Sequence, residues 1–266
     1  MIRAHFGLQR NPFAPESFAL LPHQQQVFEI LQVHAQQGGL CLVLGEPGTG
    51  KTVLKQALVD HDPKRIITPV LNRTLHSYHN TLRILCQAFA IEFTGHDHHC
   101  ERLLVRHAFD LHRNGKALMP IIDDAHLMHL DCLRKLRLLF EDFPRSHNLV
   151  LLGQPPLLQS LGLLVNEEIR SRITYSTQLP RLAPEDTQSY ILKELDRAGL
   201  GHNVFTEDAL GLIVRSSEGL LRRARNLCVS ALIETVRDQV RQADLKQVNR
   251  VLMQPHWRKN HDQPLP

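Results

Sequence analysis

The chain has 266 residues, 42% hydrophobic and 22% charged, a balance that excludes a disordered polypeptide and leaves room for one or two globular domains. No apolar run reaches the roughly 18 residues of a membrane span, and the opening MIRAHFGLQR lacks the apolar core of an export signal, so no membrane attachment is expected. A formal net charge of +4 at pH 7, with 17 histidines that add charge as pH falls, permits a polyanionic partner without requiring one. Residues 1–22 read as an irregular arm broken by Pro12, Pro15 and Pro22 and carrying Phe6, Phe13 and Phe18. From 23 to 37, Val27, Ile30, Leu31 and His34 share one helical face. LCLVL (40–44) is a continuous apolar run, the mark of a strand covered on both sides, and KTVLKQALVDH (51–61) continues as a helix. Strands are predicted at 65–71, 117–124, 148–153 and 172–179. Helices are predicted at 78–90, 100–115 and 130–143.

Strands alternating with helices predict an α/β fold with a parallel five-stranded sheet flanked by helices. After residue 182 only helical periodicity remains, which predicts a C-terminal all-helical lid domain. The expected divisions are an arm at 1–22, an α/β domain at 23–182, a helical lid at 183–253 and a flexible tail at 254–266 that holds Trp257. Five cysteines, an odd number scattered through helices and strands, read as reduced thiols of a cytoplasmic protein.

Gly45-Glu46-Pro47-Gly48-Thr49-Gly50-Lys51-Thr52 satisfies G-x-x-x-x-G-K-[ST], with a strand before it and a helix after it. Glycines let backbone N–H groups converge on phosphate oxygens, and the helix N-terminus adds partial positive charge. ATP is therefore the expected ligand, with Lys51 on its outer phosphates and the Thr52 hydroxyl on Mg²⁺. LMPIIDDAH places Asp123 at a strand end to hold Mg²⁺ and Asp124 beside it to orient the attacking water. Pro120 removes a ladder donor from that strand. Asp124 is one methylene shorter than a glutamate, and misplacement by about 1 Å can cost on the order of 100-fold in rate, so slow hydrolysis is expected.

On these motifs the chain resembles the AAA+ ATPases of the ExeA/GspA and TnsC/TniB type. The resemblance runs from HFGLQRNPF to SEGLLRRARNLCVSAL. It implies a γ-phosphate-sensing role for Gln154 in GQPPLL and arginine-finger roles for Arg170 and Arg172 in EEIRSRITYSTQL. It also implies a phosphate contact from the lid by Arg222 in GLLRRARNL, and an adenine pocket lined by Phe6, Pro12 and Phe13. A finger supplied by a neighbouring copy makes nucleotide a glue for a homo-oligomeric ring or helical filament. TnsC, TniB and the Mu B protein assemble on duplex DNA and recruit or activate a transposase. The matching loops here hold Asn72, Arg73, Thr74 and His76, then Thr94 to His98, for a sequence-independent contact with phosphates. Secretion-assembly ATPases of the ExeA/GspA kind share the ATPase domain but continue into a membrane span, which is not expected here. A third reading is a nucleotide-dependent scaffold with negligible turnover. HDHHC (96–100) collects metal-ligating side chains, but adjacent ligands do not wrap one tetrahedral ion, and a polar loop is the simpler reading.

Overall fold

The computed structural model describes residues 1–14, 19–72 and 77–257. They fall into two compact units, one of Ala19–Glu46 and Gly50–Leu179, the other of Met1–Phe18, Pro47–Thr49 and Pro180–Pro266. In chain order, the smaller unit opens with α1 (Ile2–Phe6), a helical turn within the segment expected to be irregular. The larger unit then runs α2 (Pro22–Gln37), β1 (Gly39–Leu44), α3 (Lys51–His61), β2 (Ile66–Ile67), β3 (Val70–Leu71), α4 (Tyr78–Ala88) and α5 (Asp97–Arg113). It continues through β4 (Ala117–Leu118), β5 (Ile121–Ile122), α6 (Leu130–Glu141), β6 (Asn148–Gly153), α7 (Pro156–Leu161), α8 (Glu167–Arg170) and β7 (Ile173–Gln178).

A five-stranded sheet has the order β3-β5-β6-β1-β7, with every described pairing parallel. Side chains alternate across it as the two-residue period requires. Leu40, Leu42 and Leu44 pack with Leu82, Leu85, Leu104 and Leu136 of α4, α5 and α6. Cys41 and Val43 pack on the other face with Leu31 of α2 and Leu54 of α3. Both faces are thus apolar, which is why the central strands read as unbroken hydrophobic runs.

Two single strands were expected where the structure has two pairs. Pro69 and Pro120 lack the N–H that a ladder uses, so each run divides into two-residue strands. β2 and β4 form a small separate sheet, while β3 and β5 join the main one. The proline carbonyls still take part. Pro69 accepts from Ile121 N at 2.9 Å and Pro120 accepts from Val150 N at 2.9 Å, which carries the sheet across the interruption.

The smaller unit adds α9 (Pro184–Ala198), α10 (Glu207–Ser217), α11 (Leu221–Arg237) and α12 (Leu245–Leu252). Thr206 caps α10 by accepting from Ala209 N, and Asp244 with Gln247 forms a capping box on α12. Buried Glu234 joins α11 to α12: Arg250 donates to its Oε2 at 2.8 Å and to Asp238 Oδ1 at 2.9 Å. The bond from Arg250, followed by that from Arg237, holds the Glu234 carboxyl below its ordinary range, and Arg250 with Gln247 does the same for Asp238. A depressed carboxylate stabilises the fold above its unfolded-state titration and loses that contribution as pH falls through the folded one. Arg250→Met is therefore expected to lower the melting temperature at pH 7, with the difference from wild type shrinking as pH falls below the usual carboxylate range. Thermal melts followed by circular dichroism across that range measure it.

Candidate functional site

Because all described strands of the main sheet run the same way, their carboxyl ends share one edge, the usual place for ligands in parallel α/β sheets. Asn72 follows β3, Asp123 follows β5, Gln154 follows β6 and Gly45 follows β1. The strand ends are tied together. Gly45 N donates to Gly153 O at 3.1 Å, and Asp123 N donates to Leu71 O at 3.0 Å. A Cβ built on Gly153, the last residue of β6, would lie 2.9 Å from Leu157 Cδ2 of α7, so that leucine packs directly on the strand end.

Gly50, at φ +98°, precedes α3 and has no side chain with which to cap it, while its carbonyl accepts from Val53 N at 3.0 Å and Leu54 N at 3.1 Å. Lys51 is buried, and its Nζ donates to Gly45 O at 2.6 Å and Glu46 O at 3.1 Å. Thr52, next along α3, is exposed. Gly45, Glu46, Gly50, Lys51 and Thr52 thus lie together on the larger unit.

Within the smaller unit, Pro47–Thr49 lies against the start of α11. Arg222 N donates to Gly48 O at 3.3 Å, and Thr49 is buried. Gly48 sits at φ +94°, and a Cβ built on it would lie 2.9 Å from the Arg222 Cβ. A cavity of about 550 Å³ in this unit is lined by Pro47, Arg222, Arg225, Asn226 and Trp257, giving it a cationic wall. Trp257 was not expected to form part of any such wall; its ring lies 5.7 Å from the Arg223 guanidinium. Pro12 and Phe13, expected at an adenine pocket together with the half-buried Phe6, are buried in the same unit.

Asp123 is held on both oxygens. Its Oδ1 accepts from Asp124 N at 2.9 Å, and its Oδ2 pairs with Lys55 Nζ at 2.7 Å. Lys55 also donates to Asn72 Oδ1 at 2.8 Å. Sequence reasoning missed Lys55, whose only signal is its place one helical turn beyond Lys51. Asp124 is exposed, with φ +51°, a conformation that aspartate tolerates better than most residues. Gln154 Nε2 lies 2.7 Å from His126 Nε2, a second partner that the sequence did not signal.

Arg170 and Arg172 lie elsewhere. Arg170 ends α8 and Arg172 precedes β7, at the amino end of the sheet, because Ile173 aligns with Leu40. The six residues of β1, at roughly 3.3 Å each, put about 20 Å between that edge and the phosphate loop. Arg170 pairs with Glu167 at 3.6 Å and Arg172 with Glu141 at 3.1 Å, both largely exposed. Arg73, Thr74 and His76 lie outside the described residues. Thr94 and His98 flank the start of α5, beside the start of α4. His79 Nδ1 lies 2.6 Å from Asp97 Oδ1, and the Tyr78 hydroxyl donates to Glu101 at 2.6 Å. In HDHHC, Cys100 is fully buried while the His98 side chain is 84% exposed, so neighbouring ligand types diverge.

The residues present fit a nucleotide and its metal. The Lys51 ammonium rests on loop carbonyls that phosphate oxygens can replace, and the Asp123 carboxylate already holds a cation in the Lys55 ammonium. The sheet order, the helices on both faces, the helical C-terminal region and the loop after β1 define an AAA+ P-loop NTPase fold. Residues 33–161 match the family described as AAA domain. Over 250 residues the chain is 30% identical to the general secretion pathway protein A of Aeromonas hydrophila, a match that takes in 88% of this chain. It covers 44% of that protein, so the chain spans less than half the length of this relative. Among solved structures, the Aeropyrum pernix ORC2 protein in its ADP form superposes with a TM-score of 0.71 at 15% identity, covering 95% of this chain and 72% of that one. The Aeropyrum pernix ORC1 protein in complex with DNA gives 0.67 at 16% identity, covering 87% and 65%. At these identities the likeness is one of fold.

Gly48→Ala forces a side chain onto left-handed backbone, at about 1–2 kcal/mol, and against Arg222. It is expected to weaken binding of an adenosine triphosphate analogue by at least about tenfold while leaving far-UV circular dichroism unchanged. Isothermal titration checks this.

Proposed function

We propose that the chain is an ATP- and Mg²⁺-dependent ATPase whose copies assemble through the bound nucleotide, and that the assembly acts on duplex DNA as a helper of transposition. The observation that carries the nucleotide reading is the convergence of Gly45, Lys51, Asp123 and Gln154 on one edge of the sheet. In this reading the amides from Gly45 to Thr52 and the Lys51 ammonium bind the phosphates, exchanging the Gly45 and Glu46 carbonyls for phosphate oxygens. Thr52 and Asp123 hold Mg²⁺, which neutralises charge on the outer phosphates. Gln154, oriented by His126, faces the terminal phosphate, and Asp124 orients the attacking water. Arg222 contacts phosphate from the helical unit.

Homo-oligomerisation, as a ring or a helical filament, is supported by the two arginines at the far edge. Arg170 and Arg172 are about 20 Å from their own loop, so a nucleotide they serve belongs to another copy. Their partners are exposed carboxylates, and exposed pairs of this kind contribute roughly 0–1 kcal/mol, so a phosphate displaces them readily. For DNA, the support is the polar stretch Thr94–His98 lying beside the residues that follow Arg73, Thr74 and His76. The net charge of +4 adds to it, and a non-specific phosphate contact needs no more. The DNA-bound neighbour supports the reading through its fold alone. A transposase or targeting protein is the partner proposed for the assembled form, in the cytoplasm; no described helix is long and apolar enough to cross a membrane.

A second reading, a secretion-assembly ATPase, is favoured by the Aeromonas relative. ATPase rates with and without duplex DNA separate the two. DNA-stimulated turnover supports the first, and turnover indifferent to DNA supports the second. Nucleotide binding with no turnover would leave a scaffold. Lys51→Ala is expected to abolish ATP-dependent assembly in size-exclusion chromatography with light scattering, and unchanged oligomers would remove the loop from the interface. Arg73→Ala is expected to weaken binding to unrelated duplexes alike and to lower the salt slope by about one unit. Fluorescence anisotropy at several salt concentrations measures both.

A further inference from the structure

Lys51 and Lys55 stand four residues apart on α3, one turn apart on the same face. Lys51 reaches back to carbonyls of its own loop, whereas Lys55 reaches across to the ends of β3 and β5. The Lys55–Asp123 pair is well shielded, with 13% and 15% of the two side chains exposed, so it is not an ordinary surface ion pair. Asp124 N bonds one oxygen of the carboxylate and Lys55 the other, so an ammonium already sits on the group that a cation would use. A divalent cation and an ammonium about 3 Å from the same oxygen repel strongly in such a setting, so one must leave for the other to bind.

We propose that Lys55 is the resident counter-ion of Asp123, that Mg²⁺ must displace it, and that it sets the Mg²⁺ concentration at which nucleotide is held. This rests on the reading of Asp123 as a Mg²⁺ ligand. Lys55 acts through Asp123 and is a positioning residue. In the metal-free state it keeps a shielded carboxylate neutralised. Once displaced, its ammonium gives up Asp123 and with it the bridge to Asn72, which follows β3 immediately before residue 73. Binding at the sheet edge is thereby coupled to the backbone leading into the 73–76 stretch, and such coupling is reciprocal.

The sign of the effect distinguishes this role from a merely structural one. A lysine that only stabilises the site would, when removed, weaken Mg²⁺ binding; a competitor, when removed, strengthens it. The experiment titrates Mg²⁺ against binding of a fluorescent, non-hydrolysable adenosine triphosphate analogue. It compares the wild type with Asp123→Asn, Lys55→Met, Lys55→Gln and Lys55→Arg, each checked for folding by circular dichroism. Lys55→Met and Lys55→Gln are expected to lower the Mg²⁺ midpoint by about tenfold with little change in Mg²⁺-free affinity, while Lys55→Arg stays near wild type. A midpoint unchanged or raised in the two neutral variants overturns the role of Lys55. Wild-type affinity indifferent to Mg²⁺, or an Asp123→Asn variant that keeps the full Mg²⁺ response, overturns the assignment of Asp123 beneath it.

Discussion

Parallel pairing of β1 with β6 on one side and β7 on the other is the constraint from which the candidate site follows. Residues 39–44 are matched one for one with 148–153, so Gly45 and Gly153 meet at the strand ends. Because each strand is returned by a helix on one face or the other, all strands finish on the same edge. Whatever residue follows a strand is thereby delivered to that edge. The acidic end of β5, the amide end of β6 and the glycine-rich end of β1 become neighbours, although their sequence positions are far apart. A slip of one residue would turn Leu42 and Leu44 out of one core and Cys41 and Val43 out of the other, so the apolar pattern fixes the register and the register fixes the site.

Charge at that edge is already compensated within the chain. Lys51 is satisfied by carbonyl oxygens and Lys55 by a carboxylate and an amide oxygen. Phosphate binding is consequently an exchange of partners, and its net strength is the modest difference between two well-made sets of hydrogen bonds. The helical unit contributes differently. Arg223, one of its wall of arginines, pairs with Glu218, which Arg181 also reaches. Of its buried carboxylates, Glu234 joins α11 to α12 through Arg250, and Glu194 pairs with Arg197 within α9.

Much of this was legible from pattern alone, for a physical reason in each case. The strand at 40–44 announced itself because a doubly covered strand has no polar face to interrupt it. The phosphate loop announced itself because three glycines and a lysine in that spacing have few other uses. The division of the runs at 65–71 and 117–124 was not legible. A proline's effect depends on which neighbour would have received its N–H, and Pro69 and Pro120 fall side by side only once β3 and β5 are paired. Lys55 was invisible because a lysine one turn into a helix reads as a solvated cation until the end of β5 is known to face it. His126 was equally unmarked, since its contact with Gln154 spans two separate strand ends.

The arginines at the amino edge carry the same lesson into assembly. As residues in a string, Arg170 and Arg172 are adjacent to a strand and therefore seem close to the site, but β7 is parallel to β1, so entering it places them at the wrong end for their own phosphate loop. Arg134 reinforces that placement. It bonds Asn166 Oδ1 at 2.6 Å, Val165 O at 3.0 Å and Glu168 at 2.9 Å, pinning the segment before α8 to α6. Asn166, fully buried, returns a bond to Ser160 O at 2.6 Å. A turn fixed by a buried amide and a half-buried guanidinium cannot swing across about 20 Å of sheet, so these arginines stay at the amino edge, on the exposed carboxylates of Glu167 and Glu141.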